Sequence, residues 1–216
     1  YAAVTRIEQN GAVIDSYETV FGIRTFVFDA DQGFLLTGEL VKLNGVCNHH
    51  DLGALGAAWS TRAAERQIAI LKEMGCNGIR CAHNPPDSAL LDVCDELGFL
   101  VMDEAFDEWV IIKNTKAGRA KGVICRGYGE WFDQCHVADL EAMLYRDRNH
   151  PSVVLWSIGN EIPDQFNDDG YKLAKQLVDI CHEEDPTRPA TSACDQSYVS
   201  SRNGFMDVLD IGGYNY

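Results

Sequence analysis

After about residue 40, the chain alternates short apolar segments with helical patterns. This alternation predicts a parallel sheet, because a parallel connection needs a crossover that is usually a helix. Six such strands fit either an open doubly wound sheet or most of a TIM (β/α)8 barrel. No glycine-rich phosphate loop follows any of them, which argues against a nucleotide-binding sheet. The predicted strands cover residues 41–46, 77–81, 99–103, 153–158, 190–193 and 208–216.

Helix ends are marked by capping residues. Ser60 or Thr61 can begin a helix that runs to Met74, and Asp87 and Gly98 bracket the next one. Two further apolar periodicities predict helices from about residue 130 to 146 and across residues 173–180, and a long loop is expected at about 105–127.

Residues 1–39 have a different pattern. Two short alternating stretches flank Asn10-Gly11, which is the strongest two-residue hairpin signal, and residues 25–28 form another extended run. Because two or three strands do not make a stable sheet alone, we interpret this segment as the end of a β-sandwich.

Composition excludes several functional classes. Lys and Arg number 18 against 33 Asp and Glu, a net charge of −15, which disfavours binding to nucleic acid. No apolar run approaches the ~18 residues of a membrane span, so no membrane partner is expected. The eight cysteines form no CxxC pair and are interpreted as reduced, mostly buried thiols, which favours a reducing compartment. Cytoplasm and periplasm both stay open.

Polar residues follow the predicted strands, where the active sites of barrels lie. The strand ends read NHHD, RCAHN, MDEAFDE, SIGNE and GYNY. His49 and His50 point to opposite sides of an extended chain, so we predict that His49 binds a polar ligand rather than that both bind one metal. Arg80 and His83 precede a rigid Pro-Pro turn, which favours a loop that lines a substrate site.

Carboxylates end two of these strands. Asp103 is predicted to be buried and paired with Arg80, whereas Asp107 and Glu108 are interpreted as solvated loop charges. Glu161 follows an apolar strand and a neighbouring amide, Asn160. A carboxylic acid in a barrel mouth is what protonation of a glycosidic oxygen requires.

These runs also resemble glycoside hydrolase family 2, most of all its bacterial β-galactosidases. The resemblance implies a TIM barrel after a sugar-binding sandwich and an immunoglobulin-like sandwich. Residues 1–39 are then the end of the immunoglobulin-like β-sandwich and residues 40–216 the N-terminal part of the barrel, with about six of its eight strands. The matching runs are FGIRTF at 21–26, VKLNGVCNHHDLG at 41–53, NGIRCAHNPP at 77–86, CDELGFLVMDEAFDEW at 94–109 and RDRNHPSVVLWSIGNE at 146–161.

The resemblance also implies roles for single residues. Glu161 matches the catalytic acid/base, and Asn160 matches the residue that contacts the sugar 2-hydroxyl. The remaining matches are His49 and His83 in the galactose site, Arg80, Asp103 and Glu104 as supporting residues, and Tyr214 or Tyr216 near the nucleophile.

Two departures from the family pattern stand out. Glu108 matches a magnesium ligand of some members, but Val110 replaces the histidine two residues on, which argues against a required magnesium ion; no cofactor is expected. The family nucleophile, a glutamate ending the seventh barrel strand, is expected beyond residue 216, so the 216 residues alone are predicted to be inactive.

The leading hypothesis is a retaining exo-β-glycosidase that removes terminal β-linked galactose from a glycoside or oligosaccharide. A β-glucuronidase or β-mannosidase specificity is an alternative. A non-catalytic carbohydrate-binding barrel and a metal-assisted hydrolase using His49, His83 and Asp103 are hypotheses from other classes. Homo-oligomerisation stays open.

Overall fold

The computed structural model describes residues 1–113 and 127–216, so most of the predicted loop at 105–127 lies outside the described residues. A six-stranded sheet dominates the fold, and every neighbouring pair in it is parallel. Its strands follow chain order, as in a partial α/β barrel, which confirms the predicted fold class. They are β6 (Gly45–His49), β7 (Gly78–Ala82), β8 (Leu100–Glu104), β9 (Val153–Asn160), β10 (Ala190–Cys194) and β11 (Ile211–Tyr214).

The first barrel strand begins later than predicted. The expected strand at 41–46 is instead Gly45–His49, because the preceding residues pair elsewhere. The backbone N–H of Val41 donates to the carbonyl of Phe34, and that of Asn44 donates to the side chain of Asn77. His49 is therefore the last residue of the strand and not a loop residue.

The helices follow their predicted caps. The Ser60 hydroxyl accepts from the backbone N–H of Ala63, and the Asp87 carboxylate accepts from that of Ala89. Gly98 ends its helix in the left-handed region at φ 72°. The helices are α1 (Thr61–Glu73), α2 (Ser88–Leu97), α3 (Phe132–Asp147), α4 (Gly170–Glu184) and α5 (Ser197–Ser200), with 3-10 turns at Gly53–Leu55, Tyr128–Glu130, Pro163–Phe166 and Met206–Val208.

The main core lies between the sheet and the helices. β9 is buried along its whole length, as expected for a strand covered on both faces. Trp156 and Ile158 on this strand pack with Leu140 and Leu177 from the helix layer. Burying each such side chain contributes roughly 1.5–3 kcal/mol, so β9 is firmly held and its carboxyl end is a rigid support for a site.

The amino-terminal hairpin is confirmed. β1 (Ala2–Gln9) and β2 (Ala12–Val20) are antiparallel, and the turn between them places Asn10 and Gly11 at positive φ. Every residue of both strands is exposed. The assignment of this hairpin to an immunoglobulin-like sandwich stays a prediction.

A second small sheet packs on the barrel. Strands β3 (Phe26–Asp29), β4 (Gly33–Leu36) and β5 (Glu39–Leu40) are antiparallel. Phe34 is buried with Val154 and Leu155, near the amino end of β9, so this sheet covers the end of the barrel opposite the predicted site. The domain boundary at residue 39 stays a prediction, although side chains before it contact the barrel.

The seven cysteines among the described residues are free thiols, as predicted, and Cys125 lies outside them. Four are buried, and burial raises the pKa of the Cys94 thiol to about 12 and that of Cys194 to about 11. Within residues 1–113 and 127–216, no helix is long and apolar enough to cross a membrane.

Candidate active site

Side chains from the carboxyl ends of five strands meet at one edge of the sheet, because parallel strands all end on the same side. A chain of contacts joins seven of the predicted site residues. They are His49 at the end of β6, Arg80 and His83 on and after β7, Glu104 at the end of β8, Asn160 and Glu161 at the end of β9, and Tyr216 after β11.

Glu104 is the anchor of this cluster. Its carboxylate is fully buried, and Nε and Nη2 of Arg80 donate to it at 2.7–2.9 Å. Nδ1 of His83 lies 2.7 Å from Oε1, and the hydroxyl of Ser157 donates to Oε2 at 2.6 Å. Both oxygens of Glu104 therefore already accept hydrogen bonds. Glu104 is suited to holding its neighbours in place, and it is not suited to attacking a substrate.

The predicted pairing of Arg80 with Asp103 is wrong. Strand β8 runs one residue further than the predicted 99–103, and side chains alternate across a strand. Glu104 consequently contacts Arg80 on the site side, whereas Asp103 faces Asp147 on α3. The hypothesis of a metal site formed by His49, His83 and Asp103 fails for the same reason.

Asp103 is fully buried beside a second carboxylate. Among the described residues, no donor with normal hydrogen-bond geometry reaches its oxygens, whereas Asp147 is bound by Arg146 at 2.6 Å. Burial, and then the charge of Asp147, raise the pKa of Asp103 well above its ordinary value. The pKa of the Asp103 carboxyl is therefore higher in the folded protein than in the unfolded chain.

The raised pKa of Asp103 predicts a pH dependence of stability. A raised folded pKa contributes stability that is complete below the unfolded pKa of about 4 and is lost as pH rises towards the folded pKa. Asp103→Asn removes this titration. As the pH rises from about 4 towards the folded pKa, the free energy of unfolding should fall more steeply in the wild type than in the variant, by up to about 1.4 kcal/mol per pH unit. Urea unfolding across this range measures both slopes, and parallel slopes would contradict the assignment.

The carboxamide of Asn160 is held on both sides. Its Oδ1 accepts from Nη2 of Arg80 at 2.7 Å and from Nδ2 of Asn215 at 3.1 Å. Its Nδ2 donates to Oδ1 of Asp107 at 2.9 Å. With two donors at the oxygen and an acceptor at the nitrogen, only one amide orientation satisfies all three contacts. No acceptor among residues 1–113 and 127–216 contacts the second N–H of this amide, so it can donate to a ligand.

Glu161 follows at the mouth of the barrel, half-buried. Its backbone lies in the left-handed region at φ 46°, which is unfavourable for a residue with a Cβ, and its N–H donates to the carbonyl of Ala193 at 2.7 Å. Strained backbone held by its surroundings is typical of functional positions. The carboxylate accepts from Nδ2 of Asn215 at 2.9 Å and bonds the hydroxyl of Tyr216, a hydrogen bond that raises the pKa of that tyrosine.

The structure distinguishes the two candidate tyrosines. Both are exposed, but the hydroxyl of Tyr216 bonds Glu161, whereas the ring of Tyr214 lies beside Gly212. The rings of His49 and His83 meet edge to face, with centroids 5.1 Å apart, so both histidines flank the same mouth.

The interpretation of Glu108 as a solvated charge is wrong, whereas the Asp107 side chain is 52% exposed, as expected, although it also bonds Lys113 and Asn160. Glu108 is buried, and its two oxygens accept from the backbone N–H groups of Lys113 and Gly129 at 2.8 and 3.0 Å. It therefore joins the residues directly after β8 to the turn that precedes α3. The group with metal-ligand spacing that the described residues form is Asp92, Asp95 and His150, and it does not include Glu108.

Three residues of the cluster were not predicted. Asn215 lies between the two tyrosines of the GYNY run, so the strand-end pattern pointed to its neighbours but gave no reason to choose an amide. Lys113 comes from an irregular loop with no periodic signal, and Ser157 lies inside an apolar strand. Their contacts depend on which strands are neighbours, and that is a property of the tertiary structure.

The family model described as "Glycosyl hydrolases family 2, TIM barrel domain" matches residues 29–208. The chain belongs to glycosyl hydrolase family 2. This agrees with the parallel sheet and with the resemblance in the sequence runs.

Named relatives and solved structures support the membership. The family 2 chain is 44% identical, over all of its length and 28% of the relative, to β-galactosidase BoGH2A of Bacteroides ovatus. It is 38% identical, over all of its length and 18% of the relative, to a putative β-glucuronidase of Formosa agariphila. A crystal structure of a family 2 member from Bacteroides cellulosilyticus matches with a TM-score of 0.89 and 41% identity, covering all of this chain and 26% of that one. The chain thus spans less than a third of these proteins.

Proposed function

We propose that this chain contributes the acid/base side of the active site of a retaining exo-β-glycosidase that removes terminal β-linked galactose. The observation that carries the proposal is the Glu161 carboxylate. It lies at the carboxyl end of a buried strand, beside the oriented amide of Asn160, and bonds Asn215 and Tyr216. Such a group can protonate the oxygen of a leaving group in the barrel mouth.

Retention of configuration needs two carboxyl groups about 5–5.5 Å apart, one as nucleophile and one as acid and then base. Glu104 does not suit the nucleophilic role, because Arg80, His83 and Ser157 occupy both of its oxygens. We assign the acid/base role to Glu161. The nucleophile is then a second carboxylate, supplied from outside these 216 residues. In the first step Glu161 gives its proton to the departing oxygen while the nucleophile bonds to the anomeric carbon. In the second step it removes a proton from water, which displaces the nucleophile.

The charges in the cluster favour a neutral sugar. Among the described residues, two permanent cations contact it, and each is paired with a carboxylate: Arg80 with Glu104, and Lys113 with Asp107. A uronic acid would bring another negative charge close to these groups and to Glu161. The similarity to a β-galactosidase at 44% identity supports the same choice, whereas the similarity to a putative β-glucuronidase supports the alternative.

The substrate preference is testable on the full-length protein. We expect kcat/KM for 4-nitrophenyl β-galactoside to exceed that for the β-glucuronide by at least ~100-fold, because unpaired like charges cost several kcal/mol. Product anomers followed by NMR should show the β-anomer first. A preference for the glucuronide would favour the alternative specificity. Binding of galactosides without any turnover would favour a non-catalytic barrel.

A further inference from the structure

We propose that Asp107 is a positioning residue that, together with Lys113, fixes the Asn160 carboxamide so that it presents an N–H donor to the bound sugar. This inference rests on the proposed glycosidase function, and it concerns a residue of the loop after β8. Neither the strand pattern nor the family resemblance assigns Asp107 a role.

The first observation is the direct contact. Oδ1 of Asp107 accepts from Nδ2 of Asn160 at 2.9 Å, and Asn160 is 4% exposed. The same oxygen accepts from Nζ of Lys113 at 2.8 Å. Burial alone would raise the pKa of Asp107, but the hydrogen bonds from Lys113 and Asn160 outweigh it and lower the pKa below its ordinary value. Asp107 therefore stays an acceptor across the neutral pH range.

The second observation is that Lys113 links Asp107 to the main chain at the end of β9. Its Nζ also donates to the backbone carbonyl of Asn160 at 2.6 Å, and its backbone N–H donates to the buried Glu108. Asp107 and Lys113 thus hold both the main chain and the side chain of Asn160. Because Glu161 is the next residue, a shift of Asn160 would also move the proposed acid/base group.

The third observation is that the contacts to the oxygen of the Asn160 carboxamide require the same amide orientation as the contact of its nitrogen with Asp107. Arg80 and Asn215 donate to Oδ1 of Asn160, so a flipped amide would set N–H groups against donors and its oxygen against Asp107. With Asp107 present, one N–H of Asn160 is occupied, and the other, which no described residue accepts, can donate to a sugar hydroxyl. Without it, the amide keeps only its oxygen contacts and can rotate away from the ligand.

A double-mutant cycle in the full-length protein tests this coupling. The substrate is whichever aryl β-glycoside the wild type cleaves best, so the result does not depend on the galactose assignment. We expect Asp107→Ala to lower kcat/KM about 10- to 30-fold, the loss of one charge-assisted hydrogen bond. In the Asn160→Ala background the same change should cost less than about 3-fold, since the group it acts on is gone.

Two further variants separate positioning from folding. Asp107→Asn keeps an acceptor oxygen for Asn160 and should recover activity to within about 3-fold of the wild type. Asp139 is the matched control. Its carboxylate accepts from the hydroxyl of Tyr128, whose ring stacks on Phe106, the neighbour of Asp107 in the chain. Asp139→Ala therefore removes a nearby carboxylate that has no contact with Asn160 among the described residues. It should leave kcat/KM unchanged.

Each outcome decides the proposal. Equal losses for Asp107→Ala in both backgrounds would overturn it, and so would a loss in the Asp139→Ala control as large as that of Asp107→Ala. A wild type that prefers another β-glycoside but shows the coupling would refute the galactose assignment and support the role of Asp107. A wild type without any glycosidase activity would overturn both.

Discussion

Glu161→Ala in the full-length protein should abolish cleavage of a β-linked disaccharide while sparing the first step on an activated aryl glycoside. Proton donation in the transition state is worth about 10²–10⁴-fold, and a sugar leaving group needs all of it. A dinitrophenolate departs without a proton. Hydrolysis of the disaccharide should therefore fall by about 10³-fold or more, and the aryl glycoside should give a burst of phenol followed by slow turnover.

The second step of the same variant supplies an independent measurement. Without a general base, water attacks the glycosyl-enzyme slowly, so the covalent intermediate should accumulate and be visible by mass spectrometry. Azide needs no base, and adding it should restore turnover and yield the β-glycosyl azide. Glu96→Ala, which removes an exposed glutamate of α2, is the matched control and should behave as the wild type. Equal losses on both substrates without rescue by azide would show that Glu161 is not the acid/base.

The second large effect concerns stability. Glu104→Ala should lower the free energy of unfolding by about 3–5 kcal/mol, because it leaves the partly buried Arg80 guanidinium without its partner. The matched control is Glu65→Ala, which breaks the exposed Arg62–Glu65 pair. There the loss should stay below about 1 kcal/mol, since exposed ion pairs contribute little. Urea unfolding of the three proteins at one pH gives the comparison.

A double variant distinguishes the stability lost by leaving the Arg80 charge unpaired from the stability lost by removing the packing of the Glu104 side chain. Replacing both partners, as Arg80→Met with Glu104→Leu, should recover a large part of the stability lost in Glu104→Ala, because neither charge is then left unpaired. The same double variant should remain inactive, since Asn160 loses its Arg80 donor. A Glu104→Ala protein as stable as the wild type would contradict the role of Glu104 as the buried anchor of the site.

Several features were predictable from short segments of sequence. The caps at Ser60 and Asp87, the Asn10-Gly11 turn and the left-handed Gly98 all depend on neighbours within a few residues, and the structure confirms each of them. Strand ends were less certain. Neighbouring side chains in β8 lie on opposite faces, so Glu104 and not Asp103 is the partner of Arg80.

The sequence by itself determined the parallel sheet, the edge where its polar strand ends meet, and the residues around Glu161, because hydrophobic periodicity and capping are local properties of the chain. Only the tertiary structure decided which partners these residues have. Asp107, Lys113 and Asn215 reach Asn160 from positions 47–55 residues away in the chain, and no local sequence pattern can indicate such a contact. The hydrogen bonds that orient the site form once strands far apart in the sequence lie side by side, and their geometry then assigns each polar group its donor or acceptor.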